Sequence, residues 1–89
     1  MLRPLLSLPA IEMRIVAAGA RRDLGEFEAA VVTLTCKELK NESDDWAVRL
    51  RYAYADALDA AGRIEESKLW FSKCAELDGD DSTDASERA

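Results

Sequence analysis

The chain has 89 residues, 48% of them hydrophobic and 34% charged, with a net charge of −6 and no histidine. That apolar content suits one small domain with a modest core and argues against disorder. Phosphate backbones and anionic lipid surfaces are bound through Lys and Arg, so the acidic balance makes nucleic acid and membrane surfaces poor partners.

Residues 1–8, MLRPLLSL, read as an apolar arm. Pro4 and Pro9 interrupt it and Glu12 and Arg14 follow at once, so it lacks the unbroken apolar stretch and cleavage site of a secretory leader. No segment of the sequence reaches the roughly 20 apolar residues of a membrane span, and a cytoplasmic location is expected. A first helix is expected over about residues 9–23, with Pro9 in the first turn and Ile11, Ile15 and Ala18 along one apolar face. Gly25 ends it. The second helix starts at that glycine with Glu26 and Glu28 near its positive end, turns Phe27, Ala30, Val31 and Leu34 inward, and fades at Asn41.

Ser43 and Asp44 are the expected caps of a third helix, which presents Trp46, Leu50, Ala53, Tyr54, Ala57 and Ala61 at helical spacing and stops at Gly62. The fourth presents Ile64, Ser67, Phe71 and Cys74. Its second shoulder, Trp70 and Leu77, needs cover: a docking partner or, as the preferred reading, a following helix. Residues 80–89 are expected to form a polar turn and the start of another helix, capped by Asp81, Ser82 or Thr83. A calcium loop counted from Asp78 fails, because Thr83 stands at the glycine place and Ala89 at the bidentate glutamate place.

Gly25-Glu26-Phe27-Glu28-Ala29-Ala30 aligns on Gly62-Arg63-Ile64-Glu65-Glu66-Ser67 at an offset of 37 residues (62 minus 25), and Leu34 then falls on Phe71. A period of that size with a glycine at the turn signals a helical repeat array. The second unit resembles a tetratricopeptide repeat: Tyr54-Ala55 and Leu58 fill the large and small places of its first helix, and Ser67, Phe71 and Cys74 those of its second. Arg51 stands where that family usually has tryptophan, and Gly79 where it closes with proline. The upstream unit matches at Ala17-Ala18, Ala30 and Leu34 and departs at Arg14, Arg21 and Lys37, which makes it a degenerate copy. RLRYAYADAL, AGR and WF are also similar to the final repeat of certain longer bacterial proteins of that family. The resemblance implies an all-α chain of two antiparallel helix hairpins, with repeat one over residues 9–42, repeat two over 43–79 and a tail or partial fifth helix over 80–89.

Such a module binds proteins in a concave groove lined by its first helices. Arg49, Tyr52, Asp56 and Asp59, spaced by three, four and three, share one face of helix three, and Glu12, Ile15, Gly19 and Arg22 align with them on helix one. Arg49, Tyr52, Asp56, Asp59, Ile15 and Arg22 are therefore the candidate partner-binding residues, suited to a peptide or helix of basic character. The competing reading is that Arg22 simply neutralises Asp56 or Asp59 on a solvated face. Two units are fewer than arrays usually need, so the chain is expected either to be a fragment of a longer repeat array or to cover its own ends, with Leu2, Leu5, Leu6 and Leu8 capping helix one or meeting Trp70 and Leu77 of a second copy in a homodimer.

Chemistry finds little purchase. Cys36 and Cys74 occupy similar places in the helices after the two turns and read as reduced core residues, without the histidines or nearby thiol of a zinc site. Glu65-Glu66 and Asp80-Asp81 are adjacent and diverge on a helix, and no nucleophile with a base or phosphate loop is present, so neither an enzyme nor a cofactor is expected. Helix four balances Glu65, Glu66 and Glu76 against Arg63, Lys68 and Lys73, unlike a DNA-recognition helix.

Overall fold

In the computed structural model, which describes residues 7–89, every regular element is helical. Helix α1 spans Ser7–Asp23, α2 Phe27–Leu34, α3 Trp46–Ala60, α4 Ile64–Leu77 and α5 Ala85–Arg88, with a 3-10 turn at Lys37–Lys40 between α2 and α3. Leu2, Leu5 and Leu6 of the expected arm lie outside the described residues, whereas Ser7 and Leu8 already belong to α1.

Two glycines make the turns. Gly25 and Gly62 take φ of 77° and 81°, the left-handed region that costs glycine no Cβ clash. Each closes its helix with the same pair of bonds: Glu26 N–H to Arg21 O at 2.8 Å and Gly25 N–H to Arg22 O at 2.9 Å, then Arg63 N–H to Leu58 O at 2.9 Å and Gly62 N–H to Asp59 O at 3.0 Å. The offset of 37 residues thus recurs in backbone bonding.

Helix α4 runs back along α3. The Ser67 hydroxyl donates to Ala55 O at 2.8 Å and the Cys74 thiol to Val48 O at 3.4 Å, so residue numbers rise on one helix as they fall on the other. Ala55, Ser67 and Cys74 are all buried, and their small side chains let the two backbones approach. One core cluster joins Ile11 and Ala18 of α1, Val31 and Leu34 of α2, and Leu50, Tyr54 and Leu58 of α3. A second joins Ala55, Phe71, Cys74 and Ala85, so α3 is the wall common to both.

Several local expectations are corrected. Helix α2 stops at Leu34 instead of running on toward Asn41, as the Thr33 and Thr35 hydroxyls turn back onto the carbonyls of Ala29 and Val31 and Thr35 becomes extended. Cys36 consequently lies in extended backbone rather than in a helix and is half-buried, while Cys74 is buried in α4. Both thiols are free, and burial pushes both above their ordinary pKa. Ser43 and Asp44 do not cap α3. Their amides donate instead to the Asn41 side-chain carbonyl at 3.0 and 2.8 Å, and Asp45 takes the cap position without a side-chain bond. Phe27 and Ile64 are not turned inward but are 41% and 44% exposed, because each is the first residue of its helix, at the rim of the hairpin.

Trp70 is half-buried and packs against both core clusters. Its ring meets Tyr54 edge-on at 5.0 Å, and Lys73 and Arg51 stand 5.0 and 5.9 Å from its centroid. The following helix α5 covers Phe71 and Cys74 instead, through Ala85. Arg51, in the place of the expected tryptophan, is buried and donates to the carbonyls of Leu39, Lys73 and Asn41 at 3.3, 3.0 and 3.4 Å, tying the α2–α3 connection to α4.

Asp78 stands one period after Asn41 (78 minus 41) and also closes its loop, but onto amides four and five residues ahead rather than two and three. Its carboxylate accepts the amides of Ser82 and Thr83 at 2.9 and 2.8 Å and their hydroxyls at 2.7 and 2.6 Å, and Thr83 Oγ1 then accepts the Ala85 amide at 3.2 Å as α5 begins. The hydroxyl donors of Thr83 and Ser82 lead in holding the Asp78 carboxyl at about 2, against the opposing push of burial.

Two outcomes are expected. Ala55→Leu overpacks the α3–α4 contact and lowers stability by about 1–3 kcal/mol in urea unfolding; an unchanged midpoint contradicts the close approach. Since the folded pKa of Asp78 lies below the ordinary 3.8, its contribution is complete above that value and is lost as pH falls toward about 2. Wild type should therefore lose stability across that window more steeply than Asp78→Asn, as followed by circular dichroism.

Candidate partner-binding groove

Helix α3 turns one face toward its cluster with α1 and another toward α5, leaving a polar stripe between. Ile15 and Arg22 of α1 come together with Tyr52 and Asp56 of α3 around a cleft of about 220 Å³, whose walls are completed by Ala18, Gly19, Leu34, Ala53 and Ala57. Its floor is apolar and its rim carries the charges. Gly19 keeps one wall low, since a Cβ built there meets nothing within 4 Å. A neighbouring hollow of about 240 Å³ shares Gly19 and Arg22 and adds Asp23 and Phe27.

The other two expected residues sit elsewhere. Arg49 pairs with Glu12 at 2.8 Å and does not line the cleft. Asp59 lies farther along α3, where it meets Arg88. Arg22 donates to Asp56 at 2.6 Å, so the neutralising role weighed for it is present, and both side chains still border the cleft.

Arg88 of α5 completes the stripe. Its guanidinium donates to the Tyr52 hydroxyl at 3.0 Å, to Asp56 at 3.0 Å and to Asp59 at 3.3 Å. It also lies 4.2 Å from the Phe71 ring centroid and 5.6 Å from that of Tyr52, and these two rings meet edge-on at 5.3 Å. The Tyr52 hydroxyl donates in turn to Asp84 at 2.6 Å. That bond raises the Tyr52 pKa, because it is made only by the protonated phenol. Burial pushes Asp56 upward, but hydrogen bonds from Arg22 and Arg88 outweigh it and hold the carboxyl below its ordinary value.

A further hollow of about 310 Å³ lies between the loops that precede α3 and α5, bordered by Glu42, Asp44, Asp45, Asp78 and Asp80. Asp78 is engaged there with Ser82 and Thr83, and among the described residues no group of His, Cys, Asp or Glu is placed to hold a metal ion. No helix among the described residues is long and apolar enough to cross a membrane. No protein-family model, curated protein or solved structure matches the chain.

Arg88 and Phe27 were absent from the expected site. The helical spacing of Phe27 points it inward and gives no sign of the hollow it borders. For Arg88 a signal existed: Arg14, Arg51 and Arg88 follow one another at 37 residues (51 minus 14, 88 minus 51), so a third copy of the register reaches the tail.

Gly19 lies inside α1 with room for a side chain, so Gly19→Ala should stabilise the protein by about 0.5–1 kcal/mol through helix propensity. Thermal unfolding checks this, and a lower midpoint would show that the glycine is needed for close packing.

Proposed function

We propose that the protein is a non-enzymatic interaction module of the tetratricopeptide-repeat type, whose groove between α1 and α3 receives an extended or helical segment of a partner protein. The observation that carries this reading is the meeting of Ile15, Arg22, Tyr52 and Asp56 around one cleft with an apolar floor and a charged rim. That composition suits peptide recognition, where apolar contact supplies affinity and a few polar groups set orientation. The 37-residue recurrence of glycine turns and loop-closing side chains supports the repeat assignment. Two free thiols accord with a reducing, cytoplasmic setting.

A second reading, self-association, draws on α1. Met13 and Val16 are each 71% exposed on its outer face, beside Glu12 and Ala17, and a second copy could cover them. Light scattering over a dilution series separates the readings: a dimer lost on Met13→Ser with Val16→Ser favours assembly, and a monomer at all concentrations removes it.

For the groove, random-peptide selection against the protein should yield binders that shift the amide resonances of Ile15, Gly19, Ala53 and Asp56. Gly19→Trp, which fills the cleft from its open wall, should weaken them at least about tenfold while circular dichroism stays unchanged. Binders that map to α4, or that are indifferent to Gly19→Trp, would overturn the assignment.

A further inference from the structure

The geometry points to an arginine-recognition site at the end of the groove, occupied in cis by Arg88, where an arginine of the partner segment takes its place. This rests on the groove reading above and names the chemistry of the partner.

The site reads both aspects of a guanidinium. The Arg88 guanidinium carbon stands over the Phe71 ring, 4.2 Å from its centroid, and 5.6 Å from that of Tyr52, and its donors reach the Tyr52 hydroxyl, Asp56 and Asp59. A planar fork with several fixed donors satisfies this arrangement, whereas a lysine ammonium offers a point charge with neither plane nor fork. Two carboxylates converge here, and Arg22 engages only Asp56 Oδ2, leaving Asp56 Oδ1 and Asp59 Oδ2 for Arg88. Charge complementarity therefore calls for one further cation at this place.

The site is continuous with the cleft, because Tyr52 and Asp56 border both. A segment lying in the cleft reaches the site by continuing along α3.

Exchange is sterically open. Helix α5 is one turn, anchored through Ala85, which is fully buried, and through the loop closed by Asp78. Arg88 lies three residues beyond Ala85, and its side chain is 30% exposed. Its guanidinium can leave by side-chain rotation while Ala85 stays in the core. The tethered arginine then acts as an intramolecular competitor, reducing the apparent affinity for an arginine-bearing segment by the fraction of time the site is free. A site filled nine-tenths of the time by Arg88 implies about a tenfold gain on its removal.

The test uses the full chain, wild type and Arg88→Ala, titrated with a peptide of the chain's own residues 84–89 and with the same peptide carrying lysine for arginine. Binding is followed by the ring resonances of Tyr52 and Phe71. Arg88→Ala should bind the arginine peptide about tenfold more tightly than wild type, and the lysine peptide should bind more weakly than the arginine peptide. Equal affinity for the two proteins, equal affinity for the two peptides, or shifts confined to other surfaces overturns the proposal. If Arg88→Ala loosens α5, the wild-type protein decides. Added N-acetyl-arginine amide should move the Arg88 Nε–Hε resonance toward its solvent-exposed position, and the lysine amide at equal ionic strength should not; no difference between them overturns the proposal. Selected peptides that lack arginine, ignore Arg88→Ala and are still lost with Gly19→Trp would remove the arginine site and leave the groove standing. Binding of the arginine peptide at Tyr52 and Phe71 alongside selected peptides that map to α4 would do the reverse.

Discussion

The close approach of α3 and α4 is the constraint from which the rest follows. Ala55 presents only a methyl group at the contact, and Ser67 places its hydroxyl directly on the Ala55 carbonyl, so the two backbones lie nearer than larger side chains permit. That nearness seats Phe71 beneath Tyr52. It also brings the start of α5 down onto Ala55 and Cys74 through Ala85, where any side chain longer than a methyl would be crowded. Widening the hairpin would therefore shift the aromatic pair on which the Arg88 guanidinium rests.

Because α3 belongs to both core clusters, its remaining surface is narrow. Tyr54 and Leu58 serve the side toward α1 and α2, and Ala55 serves the side toward α4 and α5. What is left is a stripe whose carboxylates are already matched by arginines from both neighbours, Arg22 on one side and Arg88 on the other. A ligand entering such a stripe gains little from bulk electrostatic attraction. On the proposed reading, its affinity would come from the apolar floor and from replacing one hydrogen-bonded cation by another, an exchange in which desolvation has largely been met in advance.

Much of the fold was legible because its signals are local. Gly25 and Gly62 announce their turns through a backbone conformation that other residues resist, and Ile11, Ala30, Val31, Leu34, Leu50 and Phe71 fall on periodic faces that are buried. Phe27 and Ile64 obey the same period and yet are exposed, since burial also requires a facing element and none reaches the rim. Ser43 and Asp44 have good capping chemistry, but the path of the loop hands their amides to Asn41. Within the groove, Ile15, Arg22, Tyr52 and Asp56 were recoverable from spacing, because helical geometry alone aligns them. Arg88 shares the 37-residue register of Arg14 and Arg51, but that register does not show that the tail folds back some thirty residues onto α3. Arg49 shared the spacing but was captured by Glu12 across the helix pair, a choice made by tertiary distance.

Asp78 is followed by Gly79, a pairing with its own chemical hazard. In an aspartyl-glycine sequence the glycine amide nitrogen, unhindered by a side chain, can attack the aspartyl carboxyl and rearrange the backbone through a succinimide. The reaction proceeds through the neutral carboxylic acid, and the network of Ser82 and Thr83 keeps this group ionised and turned toward other donors. The loop that starts α5 thus opposes that rearrangement at Asp78. Isoaspartate at residue 78, measured by peptide mapping after storage, is a record of how often that loop has opened.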